Sequence, residues 1–300
     1  MTNKKLELKR LLLFLFFAFA IAWIPAIILN QTIGYENWFN GPWVILGLPL
    51  IYSPALANII TRKLTKEGWH DSLFHLNFKG HIKYYVLAVL IPFVQGLCDY
   101  LTMTLVYGHL DFHEILERQS ISEYIGLILL MFAFGPMFAW NTFGEEFGWR
   151  AYMNQKMEPL IGTAGTVIVG GIIWGVWHAP LTIEGHNFGT EYRGYPWLGI
   201  VTMSVFCIGE GVFLMWLTKK SGSIFPAAIM HACNNVGIPQ LNTFFLSGLG
   251  DAVEFNEQME LTQVMICYIP YLILAAVVTV LMMREQKKQK LSENGASDAT

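Results

Sequence analysis

The stretch NTFGEEFGWR, residues 141–150, ends a long apolar run with two adjacent carboxylates and an arginine. Charged side chains are costly beside lipid, so their presence inside a hydrophobic segment marks a functional site. In a helix, Glu146 and Arg150 are four residues apart and lie on one face, where they can pair. Glu145 is rotated by about 100° from Glu146 and is free to face another partner. We therefore expect the rest of the chain to bring partners to Glu145.

The composition is that of a membrane protein. Of 300 residues, 54% are hydrophobic and 14% are charged, whereas soluble domains carry about 25% charged residues. The net charge is -3, and no basic run has the interleaved aromatic residues of a nucleic-acid surface. The four cysteines lie in apolar runs without paired spacing, which favours buried small hydrophobic residues over a disulfide framework.

Apolar runs of about 17 to 24 residues predict roughly eight transmembrane helices. The predicted spans are 11–29, 42–60, 84–106, 124–143, 160–183, 197–217, 222–238 and 261–283. We therefore predict an all-α, polytopic integral membrane protein with one domain over residues 1–286. The polar tail 287–300 is predicted to be disordered.

The distribution of lysine and arginine predicts the orientation. These residues cluster at both termini and in every second loop, and only Arg118 and Arg193 fall on the other side. Because cytoplasmic loops are enriched in basic residues, both termini and the tail are predicted to be cytoplasmic. We expect a plasma membrane of the bacterial or archaeal type.

Two further spans carry polar residues on close-packed or inward faces. In GGIIWGVWHAP, residues 170–180, Gly171 and Gly175 form a small-xxx-small pair that lets another helix approach. His178 shares that face. His231 and Asn235 are four residues apart on the seventh span.

Each of these polar residues has a structural alternative. A lone intramembrane histidine often only hydrogen-bonds a neighbouring helix, and an isolated Asp99 or Glu210 is more often a packing residue than a catalyst. The combination favours chemistry. A carboxylate, two imidazoles and an amide together supply a general base, a proton carrier or ligand, and donors to an oxyanion.

Three motifs in order resemble those of the CAAX protease and bacteriocin-processing (ABI) family of intramembrane proteases, which includes the CAAX prenyl endopeptidases. The motifs are Glu-Glu-x-x-x-Arg (Glu145, Glu146, Arg150), Trp-x-x-x-His (Trp174, His178) and His-x-x-x-Asn (His231, Asn235). The resemblance covers about residues 143–236. One departure is Trp174, which stands where the family usually has phenylalanine.

The resemblance implies a peptidase with its catalytic cavity between the helices. Glu145 would activate water as a general base, and His178 would bind or orient that water, directly or through a metal. His231 and Asn235 would stabilise the oxyanion, although Asn234 competes with Asn235 for this role. Glu146 and Arg150 would support the geometry of the site.

The cofactor stays open between two descriptions that the resemblance carries, a metalloprotease and a glutamate-dependent protease without metal. Glu145, His178 and His231 are a donor set that Zn²⁺ accepts. The His-Glu-x-x-His motif of helix-borne zinc sites is absent from the sequence.

The expected partners are the lipid bilayer and a membrane-associated protein or peptide substrate, with no nucleic acid. The main alternative is a non-catalytic protein of the same fold with a bacteriocin-immunity or scaffold role. A transporter would predict inverted repeats or paired interrupted helices, which the sequence does not show.

Helix direction creates one difficulty for this site. With an even number of spans, Glu145 lies near the cytoplasmic end of the fourth span and His178 lies past the midplane in the fifth. For the two to meet, the fourth span must continue past Arg150 or the fifth must start below the surface. The glycine-rich segment 162–165 permits such a shift.

Overall fold

The computed structural model describes residues 4–38, 41, 44–107, 120–247 and 261–297. These ranges are helical with connecting turns and contain no β-strand. The helices are α1 (Lys4–Thr32), α2 (Val44–Thr65), α3 (Ile82–Tyr107), α4 (Ile121–Gly148), α5 (Asn154–Trp177), α6 (Ala179–Ile183), α7 (Trp197–Ser221), α8 (Phe225–Ser247), α9 (Leu261–Cys267) and α10 (Ile269–Ser297).

Each of the eight predicted spans overlaps helix within the described residues, so the all-α polytopic architecture is confirmed. Five helical segments of the described chain are long and apolar enough to cross a membrane. They are Lys4–Thr32, Ile82–Asp99, Gly135–Trp177, Trp197–Ser221 and Ile269–Gln289. The third of these segments contains the end of the predicted span 124–143 and most of the predicted span 160–183, because the chain stays helical between them.

The helix that carries Glu145 starts at a capping box. The Ser120 hydroxyl accepts a hydrogen bond from the Glu123 backbone N–H at 3.3 Å, and the Glu123 carboxylate accepts one from the Ser120 N–H at 2.7 Å. This exchange satisfies two N–H groups that the first turn leaves free. At its other end α4 passes into a π-helical segment, Trp149–Met153, and then directly into α5.

The turn comes at Gly162, which has a φ of +72° and a ψ of 175°. Only glycine adopts such a backbone conformation without steric cost. Glu145 lies roughly 25 Å before this turn and Trp174 roughly 18 Å after it, at 1.5 Å per helical residue. The helix with Glu145 therefore continues past Arg150, which was the first of the two alternatives given by the helix directions. As a result, the side chains of Glu145 and Trp174 meet at a common depth in the bundle.

Close helix contacts fix α5 against α7. A Cβ atom on Gly171 would lie 2.5 Å from the Ile208 Cα atom, and one on Gly175 would lie 2.4 Å from the Ser204 Cα atom. Real Cβ atoms do not approach backbone this closely, so the predicted small-xxx-small face is a helix contact. It fixes the backbone of α5 on both sides of Trp174.

Ion pairs join the turn between α2 and α3 to α2 and α5, and we call this set the loop network (Arg62, Glu67, Asp71 and Lys156). The Arg62 Nη1 atom lies 2.5 Å from Asp71 Oδ1, and the Lys156 Nζ atom lies 2.7 Å from Glu67 Oε2. The Tyr152 hydroxyl also donates to Glu67 at 2.5 Å. These contacts tie the turn to the beginning of α5 and to the π-helical segment.

The tail differs from the prediction. α10 continues to Ser297, so residues 287–297 are helical rather than disordered, and residues 298–300 lie outside the described ranges. Lys, Glu, Gln and Leu are good helix formers. Extending an existing helix also avoids the cost of nucleating a new one.

Candidate active site

Glu145 is buried in the helical bundle and is held by an indole. The Trp174 Nε1–H on α5 donates a hydrogen bond to Glu145 Oε2 on α4 at 2.7 Å. Glu145 is 8% exposed and Trp174 is 2% exposed. The second carboxylate oxygen, Oε1, is left available to a water or a substrate.

Glu146 joins an arginine to a histidine. The Arg150 Nη1–H donates to Glu146 Oε1 at 3.1 Å, so the ion pair predicted from the spacing is present. The His231 Nδ1 atom on α8 lies 2.9 Å from the same oxygen. Glu146 is fully buried. One carboxylate thus fixes groups from two helices.

The indole of Trp174 lies at the centre of these groups. The Arg150 guanidinium stands over its ring, with the Cζ atom 4.1 Å from the ring centroid. The His231 ring meets it edge-on, at 5.3 Å between centroids and an angle of 80°. The His178 ring lies on another side, with its centroid 5.9 Å away.

His178 ends α5 and is buried. Its Nδ1 atom lies 2.9 Å from the backbone carbonyl oxygen of Trp174. Because a carbonyl oxygen can only accept, the Nδ1 atom carries the hydrogen, and a neutral ring then has its lone pair at Nε2. That atom can accept a hydrogen bond from a water.

The two asparagines of α8 lie in different surroundings. Asn234 is buried, and its Nδ2–H donates to the Gln95 Oε1 atom on α3 at 3.0 Å. Asn235 is exposed, one helical turn after His231. Asn234 therefore holds α8 to α3, whereas the amide of Asn235 is accessible. Sequence reasoning missed Gln95, although a glutamine within the third predicted span was a visible signal.

A second polar group lies apart from the indole. The Tyr271 hydroxyl donates to Glu210 Oε2 at 2.8 Å. Glu210 Oε1 and Asp99 Oδ1 are buried, with no hydrogen-bond partner among the residues that the structure describes. The Glu210 carboxylate still interacts electrostatically with His231 and Arg150, so it borders the candidate active site.

Glu145, His178 and His231 are the zinc ligands that the sequence suggested, and their positions test whether they are grouped around one point. Within the described ranges, no three His, Cys, Asp or Glu side chains are grouped so as to hold a metal ion. Glu145, His178 and His231 each already use one polar atom in a hydrogen bond to the protein. A cavity of about 10 Å³, the size of one water, lies beside Arg150 and Trp174, but it is lined neither by Glu145 nor by either histidine.

Comparison with known proteins identifies the same region. Residues 121–237 match the family model of the type II CAAX prenyl endopeptidase, Rce1-like. The chain is 22% identical over 211 residues to CAAX prenyl protease 2 of Methanococcus maripaludis, which covers 68% of this chain and 75% of that protein.

Two further relatives are staphylococcal. Lysostaphin resistance protein A of Staphylococcus haemolyticus is 27% identical over 150 residues, which is 49% of this chain and 35% of that protein. The protein of the same name in Staphylococcus epidermidis is 26% identical over 181 residues, or 59% and 41% of the two chains. The matches thus span less than half of these staphylococcal relatives.

The matched region contains all three motifs, from Glu145 to Asn235, and the helices that bring them together. The sequence resemblance and the comparisons agree on one family. Over residues 121–237, the chain is therefore similar to the type II CAAX prenyl endopeptidase, Rce1-like, family.

Proposed function

We propose that the protein is an intramembrane endopeptidase of the CAAX-processing type, which hydrolyses a peptide bond in a membrane-associated protein or peptide. The observation that carries this proposal is the buried Glu145 carboxylate, which one oxygen ties to the indole of Trp174, a ring that both His178 and His231 contact. A carboxylate and imidazoles are the groups that general acid–base hydrolysis of a peptide needs.

The reaction begins at the free oxygen of Glu145. This oxygen takes a proton from a water that the Nε2 atom of His178 orients, and the water oxygen attacks the carbonyl carbon of the peptide. A general base must lie within hydrogen-bond reach of the proton that it removes. The proton held by Glu145 then passes to the leaving amine, and the C–N bond breaks.

The negative oxygen of the tetrahedral intermediate needs donors already in place. His231 pairs with Glu146 through Nδ1, so an imidazolium retains the Nε2–H as a donor. The exposed amide of Asn235 supplies a second donor, one turn away on the same helix. Asn234 is less suited because Gln95 occupies its amide.

The proposed mechanism contains no step through a metal, since the three candidate donors are not grouped as a metal site. A zinc enzyme is the alternative within the same function, with Glu145, His178 and His231 as ligands. We also propose that both termini are cytoplasmic, which the distribution of lysine and arginine supports. Relatives from Methanococcus and Staphylococcus support a plasma membrane location.

The test is proteolysis by purified protein in liposomes, with a panel of membrane-tethered and CAAX-like peptides. Glu145→Gln is expected to lower kcat by about 10²- to 10⁴-fold, the usual contribution of a general base. His231→Ala should also abolish most cleavage. Glu285→Gln, a half-exposed carboxylate on α10, is the matched control and should cleave like wild type.

Each result of this assay decides one point. Cleavage that survives Glu145→Gln overturns Glu145 as the base. Activity that a chelator removes and Zn²⁺ restores supports the zinc alternative, whereas activity that resists the chelator supports the metal-free mechanism.

Similarity to lysostaphin resistance protein A favours a second candidate function, a non-catalytic membrane protein with an immunity or scaffold role. Cells that lack this chain distinguish the two functions. If expression of the Glu145→Gln variant in these cells reverses the defect as well as the wild-type protein does, the non-catalytic role is supported and peptidase activity is not required.

A further inference from the structure

We propose that Trp174 is a positioning residue of the reaction, and that its indole N–H fixes the carboxylate of Glu145 in the orientation that activates water. The proposal rests on the proposed function of Glu145 as the general base. It concerns a side chain that does not itself touch the reacting atoms.

The hydrogen bond selects one orientation of the carboxylate. The last torsion of a glutamate side chain is broad and roughly two-fold, so a free carboxylate rotates easily. The 2.7 Å distance from Trp174 Nε1 to Glu145 Oε2 is typical of a bond to an ionised acceptor. Since Trp174 is 2% exposed, little water competes for its N–H. Oε2 is therefore held, which leaves Oε1 to contact the attacking water of the proposed reaction.

The ring face links the base to the second half of the site. Arg150 stands over the indole at 4.1 Å and donates to Glu146, which in turn pairs with His231. A cation on the ring face is attracted to the π system, and it makes the N–H on the ring edge a stronger donor. The edge of the Trp174 indole thus positions Glu145. The face of the same ring positions Arg150, which binds the Glu146–His231 pair.

The helix contact between α5 and α7 holds the indole in place. Gly171 and Gly175 lie three residues before and one residue after Trp174, and both meet the α7 backbone. The helix cannot shift without opening that contact. A phenylalanine at position 174 would keep a ring in the same place but would lack the donor.

The chain provides a matched control for this substitution. Trp177 is on the same helix and is 5% exposed, but its Nε1–H donates to the Ser53 hydroxyl on α2 at 3.2 Å. Trp174→Phe and Trp177→Phe therefore each remove one buried indole N–H. Only the first removes a hydrogen bond to the base.

The kinetic test separates positioning from binding. Trp174→Phe is expected to lower kcat by about 10- to 100-fold, the effect of losing a hydrogen bond to a charged group. KM should change less than twofold, and Trp177→Phe should match wild type within twofold. A wild-type kcat for Trp174→Phe, or a higher KM at unchanged kcat, overturns the proposal.

A second measurement needs no activity. In protein labelled with ¹⁵N at the indoles, the ten tryptophans give separate N–H resonances, and Trp174→Phe identifies one by its loss. Glu145→Gln should shift that resonance and leave the Trp177 resonance in place. An unmoved Trp174 resonance overturns the hydrogen bond. Unchanged positions of the other resonances in Trp174→Phe show that the variant is folded.

The two proposals fail in different ways. If wild type cleaves no peptide while the Trp174 resonance responds to Glu145→Gln, the peptidase proposal fails and the hydrogen bond stands. If wild type cleaves and Glu145→Gln does not, but Trp174→Phe behaves as wild type, only the positioning role fails.

Discussion

Replacing Glu146 with leucine should destabilise the protein strongly, because it leaves two buried groups without their common partner. Glu146 is fully buried and Arg150 is 4% exposed. Arg150 and His231 both bind the same Glu146 oxygen. Removing one member of a buried ion pair typically costs about 3–5 kcal/mol, since the other charge stays buried and unpaired. That is roughly a 100- to 5,000-fold change in the folding equilibrium, at about 1.4 kcal/mol per factor of ten.

Removing both charges should cost less than the sum of the single changes. A buried pair replaced by apolar side chains of similar size is often neutral in stability. Glu146→Leu with Arg150→Met also loses the contact of the guanidinium with Trp174, which is worth up to about 2 kcal/mol when desolvated. We therefore expect the double variant to recover at least half of the loss in Glu146→Leu. Activity should not recover, because His231 still lacks its carboxylate.

The assay is reversible unfolding in mixed micelles, titrated with a denaturing detergent and followed by circular dichroism. The two single variants and the double variant form a double-mutant cycle. Lys220 and Glu285 provide a control pair at the surface, with side chains 29% and 50% exposed, and their coupling should be below about 1 kcal/mol. Strict additivity at Glu146 and Arg150, or a loss below about 1 kcal/mol in Glu146→Leu, would refute the reasoning.

Two further predictions concern the helix contact and the loop network. Gly175→Ala places a methyl group 2.4 Å from the Ser204 Cα atom and should cost about 1–3 kcal/mol by overpacking. Gly126→Ala, on α4 with open space around it, should gain about 0.5–1 kcal/mol in the same titration; equal stability of the two variants would contradict the close contact. Burial raises the pKa of Glu67, but hydrogen bonds from Lys156 and Tyr152 outweigh it and lower the pKa below its usual 4.5. The stabilisation of the folded protein by ionised Glu67 is therefore complete above pH 4.5. It is lost as the pH falls through the lower pKa that Glu67 has in the folded protein. The difference in melting temperature between wild type and Glu67→Gln should stay constant from about pH 7 to 5 and shrink below 4.5, and a decline that starts near neutral pH would be inconsistent with this assignment.

The features that could be predicted from the sequence are those determined by residues within a single helix. The pairing of Glu146 with Arg150 follows from a spacing of four residues, whatever surrounds the helix. The close approach at Gly171 and Gly175 follows from missing side chains on one face. Span positions follow from the length and hydrophobicity that a bilayer requires.

Contacts between helices were not readable in the same way. The bond from Trp174 to Glu145 and the bond from Asn234 to Gln95 depend on how helices rotate and at what depth they cross. Those quantities are set by packing at many positions. The same limit explains why the sequence left Asn234 and Asn235 as alternatives, since adjacent residues differ only by a rotation of the helix.

The helical tail shows a different limit. Its polar composition is typical of disorder, but it starts with the good helix formers Lys, Gln and Leu and continues the apolar part of α10 without a break. Helix propensity and the presence of an adjoining helix together decide whether the tail is helical. Overall composition takes account of neither.

The turn at Gly162 has a consequence for how the protein is made. It brings Trp174 to Glu145 across 29 residues of chain, whereas His231 reaches Glu146 across 85. Chains emerge from the ribosome amino terminus first, and shorter loops close at a lower entropic cost. The α4–α5 hairpin can therefore form the hydrogen bond between Trp174 and Glu145 while α8 is still being synthesised. A growing chain then holds Glu145 in place before it has His231 and Asn235, so the proposed active site is complete only once α8 has been added.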